Sequence, residues 1–180
     1  KRNAATDWQD GHDGIAWTNS LFLDLTNAAS ASADYWNNTA PTSSVFSVKN
    51  HNQSNASGST YIAYCFHSVE GYSKVGSYVG NGNADGTFVY TGFRPAWILM
   101  KRSDGTENWL IYDTERDPHN VTDEALLPNS NSASGGSANA MDILSNGFKL
   151  RATSGSLNAS GGNYIYLAIA SQASKFSNAR

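Results

Sequence analysis

The sequence predicts an all-β protein, an antiparallel β-sandwich of jelly-roll or lectin-like type. Three observations predict it. Short runs rich in Tyr, Val, Ile, Phe and Trp recur along the 180 residues, each bounded by Gly, Asn or Ser. No stretch of roughly eleven or more residues keeps apolar positions at helical spacing without interruption by such turn residues. Ser, Asn and Thr account for 55 of the 180 residues and charged residues for only 15 %, against roughly 25 % in an average domain. A chain of this composition is built from short strands and many turns.

The expected strands follow in order. Leu21–Leu25, Val45–Val48 and Tyr61–Phe66 come first, with one weak helical turn expected at Ala28–Ala33. Ser77–Val79 and Thr87–Tyr90 flank an Asn/Gly turn. Ala96–Met100 is continuously apolar, which predicts a central strand covered on both faces. Trp109–Tyr112 follows, then a Ser/Asn/Gly-rich stretch, Leu127–Ala140, read as a long loop. Gly147–Arg151 alternates, so one of its faces should be wet, and Tyr164–Ala170 closes the series.

The composition also excludes function classes. A net charge of −3, a pI near 5.7 and the lack of a Lys/Arg cluster argue against a nucleic-acid partner. No run approaches the ~18 apolar residues of a membrane helix. Aromatic residues at 12 % argue against disorder. The single cysteine, Cys65, lies in the apolar run Tyr61–Phe66 and reads as a buried structural thiol, with no intrachain disulfide partner.

The chain contains a second, weaker copy of itself. Asn55-Ala56-Ser57-Gly58 followed by Tyr61-Ile62 returns as Asn158-Ala159-Ser160-Gly161 followed by Tyr164-Ile165, an offset of 103. Phe46 matches Phe148 at 102, Trp8 matches Trp109 at 101, and Lys1-Arg2 matches Lys101-Arg102 at 100. Residues shared by both copies, namely Trp8, Phe46 and Tyr61 with Trp109, Phe148 and Tyr164, are expected in the core. The second copy has a lead-in, Gly80 to Trp97, that the first lacks. The chain is therefore expected to start inside a repeat whose parent continues upstream. About one and a half copies of a repeat of ~100 residues result. Residues 1–70 form the C-terminal part of one copy and 71–180 a second, nearly complete one.

The ordered motifs Gly76-Ser77-Tyr78-Val79-Gly80-Asn81-Gly82-Asn83-Ala84-Asp85-Gly86, then Gly92-Phe93-Arg94-Pro95-Ala96-Trp97-Ile98-Leu99-Met100-Lys101, then Trp109-Leu110-Ile111-Tyr112-Asp113 and Ser145-Asn146-Gly147-Phe148, carry a resemblance. The chain resembles an uncharacterised domain found, often in tandem, in bacteriophage virion proteins, chiefly tail fibres and appendages of marine phages. The resemblance implies a virion structural or host-attachment role in a homotrimeric fibre, with other virion subunits as partners. It implies no catalytic residues.

Candidate sites are few. Asn81–Gly86 places oxygen side chains like a calcium loop, but Gly92 stands where the bidentate acid belongs, so a tight turn is the better reading. Asp10-Gly11-His12-Asp13-Gly14 reads as a plain loop. Asp113, Glu115, Asp117, Asp123 and Glu124 supply acids for glycoside hydrolysis on paper, yet Asp113 and Arg116 read as a structural pair. No metal site, cofactor fingerprint or nucleophile elbow is present in the sequence. Five Asn-x-Ser/Thr sequons match what chance gives at this composition. Trp17, Tyr35 and Trp36 have no aromatic counterpart in the second copy and sit in polar, loop-like settings. They are the expected platforms for a sugar ring, with Asn37 beside them to hydrogen-bond its hydroxyls. The expectation is a non-enzymatic virion module that binds host-surface carbohydrate by multivalent contacts. The alternatives are a capsid decoration or spacer domain without receptor and, third, a polysaccharide depolymerase.

Overall fold

The computed structural model describes residues 1–171; the last nine residues of the expected second copy, 172–180, lie outside the described residues. Every paired strand is antiparallel. Strands β4 (Ser73–Val79), β6 (Pro95–Arg102), β7 (Leu110–Asp113) and β11 (Asn163–Ala170) form one sheet in the order β4-β11-β6-β7. A second sheet runs β5-β10-β9-β8, from β5 (Phe88–Tyr90), β10 (Gly147–Leu150), β9 (Gly135–Leu144) and β8 (Thr122–Ala125). The inner faces of these two sheets close on one core. The protein is a β-sandwich.

The core is built by alternation. Tyr164, Tyr166 and Ala168 point inward from β11, and Ile98 and Met100 from β6. Met141, Ile143, Phe148 and Leu150 meet them from the opposite sheet. Tyr78 stacks on Tyr164 with ring centroids 4.8 Å apart, and Phe148 meets Tyr166 edge-on at 5.5 Å. The Tyr78 hydroxyl donates to the Leu157 carbonyl at 2.8 Å, so its polar tip is satisfied inside the core. Asn158, fully buried, ties the loop before β11 to the turn after β4. Its Nδ2 donates to Asn81 Oδ1, Asn83 O and Ala152 O, and its Oδ1 accepts from the Asn81 N–H.

A third, smaller sheet is made by β1 (Gln9–Asp10), β2 (Asn19–Phe22) and β3 (Ser30–Ala31), within the expected first copy. It covers the outer face of the first four-stranded sheet. Leu21 packs with Trp109 and Ile165 there, joined by Ile15, Leu23, Ala29 and Leu99. Trp109 Nε1 donates to the Phe22 carbonyl at 2.8 Å. His12 Nδ1 accepts from the Gly14 N–H, which leaves Nε2 to donate to the Tyr166 carbonyl at 3.2 Å. β6 is thus apolar on both faces for a reason: Ile98 and Met100 serve the sandwich core and Leu99 serves the outer cluster.

Several expectations are corrected. Residues 135–140 are the first half of β9, not loop, because Gly135 and Gly136 pair by backbone with Ala125 and Glu124 and need no side-chain pattern. Ala28–Ala33 holds the short strand β3 rather than a helical turn. Val45–Val48 and Tyr61–Phe66 are not strands among the described residues, and Cys65 is exposed rather than buried. Trp8 and Phe46 are exposed, whereas their counterparts Trp109 and Phe148 are buried. Trp8, Phe46, Ile62, Tyr64, Cys65 and Phe66 all lie exposed on the surface of the described residues.

A candidate interaction face on the first copy

The aromatic residues singled out by sequence converge, but inward. Trp36 meets Trp17 edge-on at 5.6 Å, and Tyr35 meets His51 at 4.7 Å and Phe22 at 6.0 Å. Trp36 Nε1 donates to the Asn19 carbonyl at 3.0 Å. Two consecutive left-handed residues, Asn37 at φ 52° and Asn38 at φ 50°, turn the chain back on itself and tuck Trp36 under. Gly11 leaves room for the pair: a Cβ there would lie 2.6 Å from Trp17 Cζ3 and 2.9 Å from Trp36 Cε2. Tyr35 and Trp36 are each only 9 % exposed, so their faces are spent on packing rather than open to a sugar ring. Trp17 is half-buried and Asn37 exposed.

The other sequence candidates have structural occupations. Arg116 Nε donates to Asp113 Oδ2 at 2.6 Å, the pair expected from sequence. Burial raises the Asp113 carboxyl, but hydrogen bonds from Arg116 and Glu115 and the guanidinium charge outweigh it and hold it below its ordinary range. Asp117 Oδ2 accepts the N–H groups of Asp123 and Glu124. In the turn after β4, Asn81 Oδ1 accepts from Asn83 N–H and Asn83 Oδ1 from Asp85 N–H, while Asp85 pairs with Lys149 at 2.5 Å. Those oxygens build a turn. Asp10 in β1 is half-buried, and desolvation pushes its carboxyl from 3.8 up to about 7.

The open surface lies elsewhere, along residues 61–66. Ile62 is 55 %, Tyr64 65 % and Phe66 64 % exposed, and Trp8, 54 % exposed, stacks on Tyr64 at 6.4 Å. Among the described residues no backbone group of Tyr61–Phe66 has a hydrogen-bond partner. The repeat explains what this segment is. The Tyr61 hydroxyl accepts from Ala56 N–H at 2.9 Å and donates to Asn52 O at 2.8 Å. The Tyr164 hydroxyl accepts from Ala159 N–H at 2.8 Å and donates to Gly155 O at 2.6 Å, the same arrangement 103 residues on. Gly58 and Gly161 both take left-handed φ, 72° and 74°. Arg2 N–H donates to Thr60 O as Ser103 N–H does to Asn163 O, both at 2.8 Å. This places Arg2 opposite Ser103 and corrects the sequence alignment of Lys1-Arg2 by one residue.

Residues 61–66 thus leave the same turn as β11 does, but among the described residues no strand pairs with them. The sequence signal for the shared turn is the match of Asn55–Ile62 to Asn158–Ile165 at an offset of 103; repetition alone does not reveal that Trp8 is exposed where Trp109 is buried.

The molecule is therefore an all-β module, a sandwich carrying a small outer sheet. The model of the family described as a domain of unknown function, DUF7483, matches residues 1–173, and the chain belongs to that family. No curated protein and no solved structure matches the chain.

Proposed function

We propose that the chain is a non-enzymatic building module of a phage particle, a tail fibre or surface appendage, that works through contacts with other subunits. The observation that carries this reading is the face formed by Trp8, Ile62, Tyr64 and Phe66, left open on a folded domain. Exposed apolar faces of this kind are characteristic of assembly surfaces. The particle context and the homotrimeric state come from the resemblance of the ordered motifs to virion proteins. The engagement of Asp113 and Asp117 in local hydrogen bonds weighs against a depolymerase, whose two carboxyl groups would face each other across a groove at ~5–10 Å.

Binding of host-surface carbohydrate is the second half of the reading, and the packing of Tyr35 and Trp36 favours a spacer over a receptor binder. Two experiments separate the parts. Immunogold labelling of purified particles should place the chain on the tail or appendage; its absence from particles overturns the assignment. A glycan array together with an adsorption competition assay tests attachment. A null array and unchanged adsorption leave the spacer role.

A further inference from the structure

The outer face of the sheet β5-β10-β9-β8 carries open side chains on a sandwich whose own core is closed. Val89, Ile143, Phe148 and Leu150 point into that core. Their strand neighbours Phe88, Tyr90, Asp142 and Lys149 therefore point out. The register sets Phe88, Lys149 and Asp142 side by side in one row, and Tyr90, Gly147 and Leu144 in the next. Tyr90 is 64 % and Phe88 44 % exposed. Gly147 puts no side chain into its row, so a trough opens beside the Tyr90 ring. A Cβ there would lie 3.2 Å from Phe88 Cε2.

We propose that this face binds an uncharged oligosaccharide, with Tyr90 as the platform and Asp142 and Arg151 as the hydroxyl contacts. This deepens the carbohydrate half of the proposed function and rests on it only for the host-surface origin of the glycan. Arg151 Nε donates to Asp142 Oδ2 at 2.7 Å, Lys149 pairs with Asp85 at 2.5 Å, and Arg151 Nη1 lies 3.9 Å from Asp85 Oδ1. Two cations and two carboxylates alternate, so the patch has no net charge. Among the described residues Asp142 Oδ1 and Arg151 Nη2 make no hydrogen bond. They border a shallow cleft of about 430 Å³, flanked by Ala84 and Val121, a volume in the range of small-ligand sites. From Gly147 to Arg151 the strand direction covers about 13 Å, enough for a short oligosaccharide. A sugar offers an apolar C–H face to an aromatic ring and hydroxyls that need both a donor and an acceptor. An anionic ligand would find these cations already paired. A protein partner would meet four charges where interface centres are depleted of them.

The test titrates the whole chain, labelled with nitrogen-15, with neutral oligosaccharides of glucose, galactose, mannose and N-acetylglucosamine, and separately with uronic-acid oligosaccharides. A neutral probe should shift amides within 84–90 and 142–151. Tyr90→Ala should weaken that binding at least about tenfold, with an unchanged thermal melt, and Tyr90→Phe should retain it. Tyr72→Ala, which removes an exposed tyrosine outside this face, should bind as the parent does. No response to any neutral probe, shifts centred elsewhere, tighter binding of the acidic set, or binding untouched by Tyr90→Ala each overturn the proposal. Binding here by a chain absent from purified particles keeps this site and discards the particle; a chain on particles that binds no glycan discards this site and leaves the spacer.

Discussion

Replacing Asn158 by aspartate tests the claim that one buried amide holds the sandwich's loops in place. The substitution conserves shape and keeps an oxygen for the Asn81 N–H. It removes the amide that donates at 3.0, 2.8 and 3.0 Å to Asn81 Oδ1, Asn83 O and Ala152 O, and sets a carboxylate oxygen against those three acceptors. Each lost bond is worth about 1 kcal/mol net, and a buried, unpaired charge adds about 3 kcal/mol. Asn158→Asp should therefore cost roughly 6 kcal/mol at pH 7, a fall in Tm of at least ~10 °C for a protein of this size. Asn158→Ala loses the bond from Asn81 N–H as well and should cost about 4 kcal/mol, with no dependence on pH. Below the carboxyl's raised pKa the Asp variant regains a neutral group with one donor, so the gap between the two variants should close as pH falls towards 4. Thermal and urea melts followed by circular dichroism at pH 4 and pH 7 measure this. Equal costs at both pH values, or a cost below about 1 kcal/mol, would refute the assignment of Asn158 as a saturated donor.

Asp10 supplies a second pH test. Its folded pKa, about 7, lies above the ordinary 3.8. Its contribution is therefore fully favourable below pH 4 and is lost as pH rises through 7, so Asp10→Asn should raise stability at pH 8 by up to ~4 kcal/mol and change nothing at pH 3.5. Trp36→Ala should destabilise the first copy by about 3 kcal/mol through loss of its packing and its bond to Asn19 O, read by Trp fluorescence melts. Any glycan signal should fall only in proportion to unfolding. Trp109→Phe removes the indole bond to Phe22 O, and limited proteolysis should then cut the segment 9–31 at least about tenfold faster while the sandwich resists as before.

The strands legible in the sequence are those whose side chains carry the pattern. Ala96–Met100 and Tyr164–Ala170 are apolar because each contributes to the sandwich core and to the outer cluster, and both lie where the sequence placed them. β9 was illegible at its start because Gly135 and Gly136 contribute a backbone and little else. Tyr61–Phe66 shows the opposite failure. It has the composition of a strand, but a strand requires a partner, and composition cannot supply one. The inward packing of Tyr35 and Trp36 was illegible because it depends on backbone geometry: paired left-handed asparagines turn them into a cluster that no count of polar neighbours reveals. The Asp113–Arg116 pair was legible because it is local, three residues apart.

The cluster of Leu21, Trp109 and Ile165 has a consequence for the order in which the molecule can come together. The strands of the outer sheet are two to four residues long, too short to persist without a surface to lie on. That surface is the outer face of the finished sandwich, at Trp109 and Ile165. The dependence runs one way: the sandwich core is complete without the small sheet, whereas the small sheet exists only against it. Residues 9–31 would then order last, on a sandwich that has already closed.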